Sequence, residues 1–114
     1  MGEAHMKLVI AIIQDEDRRK LSSLLMEKGF RITQVNSSGG FLRAGNTTMM
    51  IGVEEQKLNE LLDAIREVCM PRKQMISAPV HSFDMAGAAA AVPIEITIGG
   101  ATVFVLDVDQ FVRI

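Results

Sequence analysis

Segment 37–48, which reads SSGGFLRAGNTT, holds the residues best suited to binding a small ligand. Its paired glycines allow backbone N–H groups to come close to a ligand oxygen. Arg43 offers a fork of donors that suits a phosphate, and Phe41 is an aromatic ring on which a base could stack. Together with Asn46, these residues could hold a purine and a phosphate. An ordinary hairpin loop with Phe41 packed inward explains the same residues, and composition alone favours that interpretation.

The other candidates for chemistry are few. No CxxC, HxxxH or HExxH spacing occurs, so a metal site has no support. His81 is a lone loop histidine, and Cys69 closes the apolar stripe of a predicted helix, where a buried structural thiol is expected. The acids at 15–17 complement a helix dipole, while Asp107 and Asp109 have no base or nucleophile near them in sequence. We therefore predict no catalytic residue, no metal site and no cofactor.

The composition fits one small cytoplasmic domain. The chain has 114 residues, of which 48% are apolar and 23% charged, and its net charge is −2. This charge disfavours binding to a nucleic-acid polymer. The longest apolar runs are far shorter than the roughly 20 residues of a membrane span, and a single cysteine fits a reducing compartment. We expect no membrane insertion, one domain over residues 6–114, and a leader or cloning remnant at residues 1–5.

Hydrophobic periodicity predicts the elements that must position segment 37–48. Two helices are predicted, one over about 15–28 that ends at Gly29, and one through Leu58 and Cys69 that Pro71 stops. Strands are predicted at residues 7–13, 30–37, 46–53 and 74–80, with loops at 41–45 and 81–91. Residues 92–98 and 101–108 are predicted to form a final hairpin across Gly99 and Gly100.

This order predicts an α+β protein with a ferredoxin-like βαββαβ fold and an extra C-terminal β-hairpin. Such a sheet carries both of its helices on one face. The predicted strands 8–13 and 102–108 are nevertheless apolar on both faces. Other copies of the same chain are the simplest cover for the second face, so we expect a homo-oligomer.

Three motifs resemble one known family. GGFLRAGNTT, the opening MKLVIAIIQDED and the late GGATVFVLDVDQF are similar to the signatures of the PII-like cyclic di-AMP receptors, the PstA or DarA family. The resemblance runs from Met6 to the C-terminus. It implies a PII-like, ferredoxin-like fold assembled as a homotrimer, with a cyclic di-AMP site between neighbouring subunits.

The resemblance also implies which residues bind the ligand. Arg31 and Thr33 would line the site from the second strand, Gly40 to Arg43 would touch the adenine and phosphate, and Asn46 would contact adenine. Gly52 would allow close backbone approach, and an aromatic in the last strand would pack at the site. The complete predicted set is Arg31, Thr33, Gly40, Phe41, Leu42, Arg43, Asn46, Gly52 and Phe104.

Two positions depart from the family pattern. This chain has Gly29 where the family often has Asn, and Arg113 where familiar members have Gln, so we expect altered contacts there. The function that the resemblance implies is signal transduction without catalysis. Ligand binding would rearrange loops, and a downstream protein that the sequence does not identify would detect the change. Residues 78–91 resemble the family's large mobile loop, which would face a protein partner. A PII-like sensor of another adenine nucleotide, such as ATP, is the alternative, followed by a nucleotide-hydrolysing enzyme.

Overall fold

A computed structural model describes residues 5–35, 45–80 and 90–114. The predicted loop residues 41–44 and 81–89, including His81, lie outside these ranges, as do residues 1–4 of the predicted leader. The elements are β1 (Met6–Gln14), α1 (Asp15–Glu27), β2 (Ile32–Val35), β3 (Asn46–Glu54), a short 3₁₀ turn (Glu55–Lys57), α2 (Leu58–Cys69), β4 (Arg72–Val80), β5 (Ala90–Ile98) and β6 (Ala101–Asp107).

Four strands form one antiparallel sheet in the order β2-β3-β1-β6, and β4 and β5 form a separate two-stranded hairpin. Both helices pack on one face of the sheet, where alternate residues of β1 and β3 are buried because side chains alternate between faces along a strand. The predicted ferredoxin-like α+β fold is thereby confirmed. The core consists chiefly of Val9, Ala11, Ile13, Leu21, Leu25, Phe30, Met49, Ile51, Leu61, Ile65 and Val68.

The other face of the sheet, here called the open face, is also apolar. Pairing registers place Leu8, Ile10 and Ile12 of β1 on it, opposite alternate residues of β3 and β6. These β1 residues are only half-buried, and Phe104 of β6 keeps 53% of its surface exposed. The predicted apolar character of both faces of these strands is therefore confirmed.

The predicted position of the extra hairpin is wrong. We expected residues 74–80 in the main sheet and a C-terminal hairpin of 92–98 with 101–108, but β5 pairs with β4, and β6 completes the sheet beside β1. The physical reason is packing. The β6 sequence ATVFVLD is apolar on both faces and contributes Val103 to the core, whereas β4 begins with the polar run RKQ. The hairpin of β4 and β5, here called the arm, is therefore inserted between α2 and β6.

The predicted hairpin turn at the glycine pair is wrong, because Gly99 and Gly100 connect β5 to β6 without pairing the two strands. Gly99 and Gly100 have φ values of 93° and 90°, which favour glycine. Their N–H groups donate to Gln14 Oε1 at 2.7 Å and to the Cys69 carbonyl oxygen at 2.5 Å. These hydrogen bonds hold the connection between β5 and β6 against the ends of β1 and α2. The chain therefore leaves the arm at this point and enters the main sheet as β6.

The helix boundaries agree closely with the prediction. Helix α1 ends before Gly29, whose φ of 87° confirms the predicted left-handed residue after the helix. Helix α2 ends at Cys69, two residues before Pro71. Gln14 is the N-cap residue of α1, and the Asp15 carboxylate accepts a hydrogen bond from Thr47.

Candidate functional site

A cleft of about 680 Å³ opens at one end of the open face. Its floor comes from β1 and β3, through Leu8, Met50 and Gly52. One wall is the turn that joins α1 to β2, and another is the C-terminal segment that follows β6. The cleft thus combines an apolar floor, suited to a flat ring, with walls built from chain segments that can present polar groups.

The walls of the cleft are strongly basic. Among its described lining residues, four carry a positive charge, namely Lys28, Arg31, Lys57 and Arg113, and one, Glu54, carries a negative charge. The whole chain has a net charge of −2, so this local positive charge is a feature of the cleft rather than of the protein. Clustered cations in a concave site attract anionic ligands and raise their association rate.

Gly52 contributes no side chain to the floor of the cleft. It lies within β3, opposite Leu8, on the open face and is exposed. A Cβ atom built at Gly52 would meet Met6 Cε at 4.0 Å, which is ordinary contact, so the fold tolerates a side chain there. Because Gly52 has no side chain, backbone surface is accessible from the cleft.

The structure brings three of the predicted ligand residues together. Arg31, Thr33 and Gly52 all line the cleft. Asn46 is at the other end of β3, six residues from Gly52, which corresponds to about 20 Å along a strand. The predicted residues Gly40, Phe41, Leu42 and Arg43 lie outside the described residues.

Phe104 lies on the same face as the cleft floor. Pairing registers align Thr33 with Met50, Met50 with Ile10, and Ile10 with Phe104. Cross-strand partners share a face, so these four residues form one row across the sheet. Asn46 and Gly52 belong to the same face by alternation along β3. The predicted strand residues therefore share one surface, although a single chain does not gather Asn46 and Phe104 into the cleft.

Sequence reasoning missed two basic residues and one aromatic residue of the cleft. Lys28 follows α1, Lys57 ends the 3₁₀ turn, and Phe111 belongs to the C-terminal segment. The Arg113 guanidinium lies 5.9 Å from the centre of the Phe111 ring, at cation–π distance. Nothing in the spacing of these residues joins them, because they meet only when three separate segments fold to one end of the sheet.

Cys69 is buried, as predicted, with only 2% of its surface exposed. Desolvation by burial, assisted by the negative charge of Asp17, raises the pKa of its thiol to about 11, although Arg72 opposes this shift. The thiol is therefore neutral and unreactive near neutral pH. Cys69 acts as a core residue.

The described residues contain neither a candidate metal cluster nor a helix that could span a membrane. No cluster of three or more His, Cys, Asp or Glu side chains that could hold a metal ion occurs among them. No helix within those ranges is long and apolar enough to cross a membrane.

Three solved structures resemble this chain over 98% of its length. A protein of unknown function from Pediococcus pentosaceus ATCC 25745 is 40% identical over the whole of its own chain, with a TM-score of 0.77. Arabidopsis thaliana PII bound to citrate is 17% identical over 82% of its chain, with a TM-score of 0.56. A DUF3240 family protein from Shewanella baltica OS155 is 16% identical over 99% of its chain, also with a TM-score of 0.56.

The two distant relatives establish the fold alone, which is PII-like. The family follows from the sequence itself. A model of the family described as "Cyclic-di-AMP receptor" matches residues 6–114, so the match includes the cleft, both helices and all six strands. The resemblance noted from the three motifs is confirmed, and the chain belongs to the cyclic-di-AMP receptor family.

Proposed function

We propose that this chain is a cytoplasmic signal-transduction protein that binds cyclic di-AMP and relays its presence to another protein. The observation that carries the proposal is the basic cleft on the open face. A cyclic dinucleotide presents two phosphates and two purines, which match clustered cations beside an apolar floor. Arg31, Thr33 and Gly52 belong to this cleft, and they belong to the residues that the family resemblance assigns to the ligand.

The remaining assigned residues extend the proposed site across the open face. Phe104 would pack against the ligand from β6, and Asn46 would contact adenine from the start of β3. The segment 40–43 would touch the adenine and phosphate. Because these groups are spread along one face, we propose that the site is completed by a neighbouring subunit of a homotrimer. The apolar open face supports this, since a second copy would remove it from water.

We infer that the protein acts as a sensor and not as an enzyme. Membership of a receptor family supports this inference. The cleft presents basic and apolar side chains, and among its described lining residues Glu54 is the one carboxylate and there is no histidine. The alternative is a sensor of ATP, because four cations would also suit a triphosphate. Hydrolysis of either nucleotide is the least favoured alternative.

Calorimetric titration with cyclic di-AMP, cyclic di-GMP and ATP tests the proposed ligand. We expect binding of cyclic di-AMP at least tenfold tighter than that of the other two. The matched pair of variants Lys57→Gln and Lys73→Gln tests the site. Lys57 lines the cleft, whereas Lys73 is an exposed residue of the arm.

Each phosphate contact that is removed should flatten the dependence of affinity on salt. Lys57→Gln should therefore weaken binding at low salt and flatten its salt dependence, while Lys73→Gln should leave both unchanged. Equal effects of the two variants would contradict the cleft as the site. Tighter binding of ATP would select the alternative ligand. Chromatography of the nucleotide after prolonged incubation should return it intact, and a hydrolysed product would contradict the sensor.

A further inference from the structure

The β1–α1 connection makes polar contacts with three other segments. We call Gln14, Asp15 and Asp17 the junction. The Asp15 N–H donates to the Gly45 carbonyl oxygen at 2.8 Å, and the Asp15 carboxylate accepts from the Thr47 hydroxyl at 2.5 Å. Through these contacts the junction is fixed to the start of β3. Gln14 Oε1 accepts from the N–H of Gly99, where the arm ends.

Asp17 is bound to the other strand of the arm. Its side chain is 3% exposed, and its Oδ1 accepts from Arg72 Nη2 at 2.6 Å. A second, longer contact of 3.4 Å joins Arg72 Nη1 to Oδ2 of the same carboxylate. Two-point contacts between a guanidinium and a carboxylate fix orientation as well as distance. Arg72 is the first residue of β4, so this ion pair holds the base of the arm against α1.

Helix α1 joins this ion pair to the cleft. Asp17 lies in the first turn of α1, and the residues directly after its last turn, Lys28 to Arg31, line a wall of the cleft. A helix of 13 residues is about 20 Å long and nearly rigid. A shift of the cleft wall upon ligand binding would therefore be transmitted along α1 to Asp17.

We propose that the Asp17–Arg72 ion pair is the connection through which occupancy of the cleft sets the orientation of the arm, an inference that rests on the proposed function. Asp17 is then a positioning residue that does not touch the ligand. The arm is a two-stranded ribbon, and a ribbon of this kind has little independent stability, so its direction depends on its base. An ion pair with a buried carboxylate supplies such a constraint, because an alternative position of the partly exposed Arg72 would leave the Asp17 charge buried and unpaired.

The experiment measures the distance between α1 and the arm. Ser23 of α1 and Ser77 of β4 are exposed, and each can be replaced by cysteine and spin-labelled. Cys69 should not react, because it is buried and its thiol has a pKa of about 11. Labelled chain is diluted with unlabelled chain so that electron–electron double resonance reports distances within one chain. Each sample is measured without ligand and with saturating cyclic di-AMP.

The key variant is Asp17→Asn, and its matched control is Glu95→Gln. Glu95 forms an ion pair with Lys73 at 3.3 Å, but both residues belong to the arm, so this pair does not connect the arm to the helix. We expect the ligand to shift the distance distribution in the unmodified chain and in Glu95→Gln. In Asp17→Asn the ligand should still bind by calorimetry, but the shift should be lost.

If Asp17→Asn fails to fold, the double variant Asp17→Asn with Arg72→Gln takes its place, since it removes both charges of the pair. A ligand-induced shift of normal size in the folded variant would overturn the proposal. So would binding without any shift in the unmodified chain, a result that leaves the proposed function standing. Absence of cyclic di-AMP binding to the unmodified chain would instead overturn the proposed function, and with it this inference.

Discussion

Phe104 offers the sharpest test of the open face as a ligand surface. Its side chain keeps 53% of its surface exposed in the single chain. Since a phenylalanine can bury about 200 Å², about 100 Å² remains for a ligand to cover. At about 25 cal/mol per Å² this area corresponds to about 2.5 kcal/mol, or about a 70-fold change in affinity. Phe104→Ala should therefore weaken cyclic di-AMP binding by up to about 70-fold.

The matched control is Val105→Ala. Val105 is the next residue of β6 and is 42% exposed, but alternation along the strand directs it to the opposite face of the sheet. Calorimetric titration should show an affinity within about twofold of the unmodified chain for Val105→Ala. Light scattering on both variants should give the mass of a trimer. Affinity that is unchanged in Phe104→Ala, or lowered equally in both variants, would refute the assignment of the open face to the ligand.

Three further predictions concern the core, the arm and the segment 41–45, which the sequence predicts to be a loop. Burial raises the pKa of Cys69 from its ordinary value of 9.0 to about 11, so the contribution of this thiol to the free energy of unfolding should be constant well below pH 9 and fall by roughly 2–3 kcal/mol as pH rises to 11. Urea denaturation of Cys69→Ala should lack this contribution. Gly99→Ala should lower the melting temperature, measured by thermal denaturation, far more than Gly100→Ala. A Cβ atom at Gly99 would lie 2.6 Å from a backbone carbonyl oxygen, whereas one at Gly100 would meet nothing within 4 Å. Both glycines have positive φ, so the backbone strain is common to the two variants and the difference reports the steric clash. Phe41→Ala should weaken cyclic di-AMP binding equally at low and high salt, while Arg43→Ala should weaken it mainly at low salt, as titrations at two ionic strengths would show.

The sequence correctly predicted the helices, because their apolar residues recur at helical spacing and because proline or glycine marks where each helix ends. The apolar stripe of α2 and the stop at Pro71 define that helix within the chain itself, and Gly29 marks the end of α1. Such signals act over a few residues, so a single sequence contains them. The family motifs likewise required only the order of residues.

Strand pairing could not be predicted in the same way. The two glycines before β6 indicated a hairpin, and a hairpin is the usual result of two central residues with positive φ between strands. The choice between β5 and β1 as partner of β6 depends on which pairing buries more apolar surface. The buried area of each pairing depends on the tertiary structure, because Val103 packs against the core only when β6 lies beside β1. The Asp17–Arg72 ion pair could not be predicted for the same reason, since 55 residues separate its two members in the sequence.

The open face would have to serve two purposes in the proposed protein. It carries the apolar residues that a second copy would cover, and it carries Thr33, Gly52 and Phe104, which the ligand would contact. Charge distinguishes the two purposes, because the cations gather at the end of the face where β1 begins, while Ile10 and Ile12 lie further along the strand. An anion is attracted to the basic end, and an apolar surface is buried by a like surface. Subunit contact on the apolar part and ligand binding at the basic end can therefore occur together, with the ligand at the boundary between neighbouring chains.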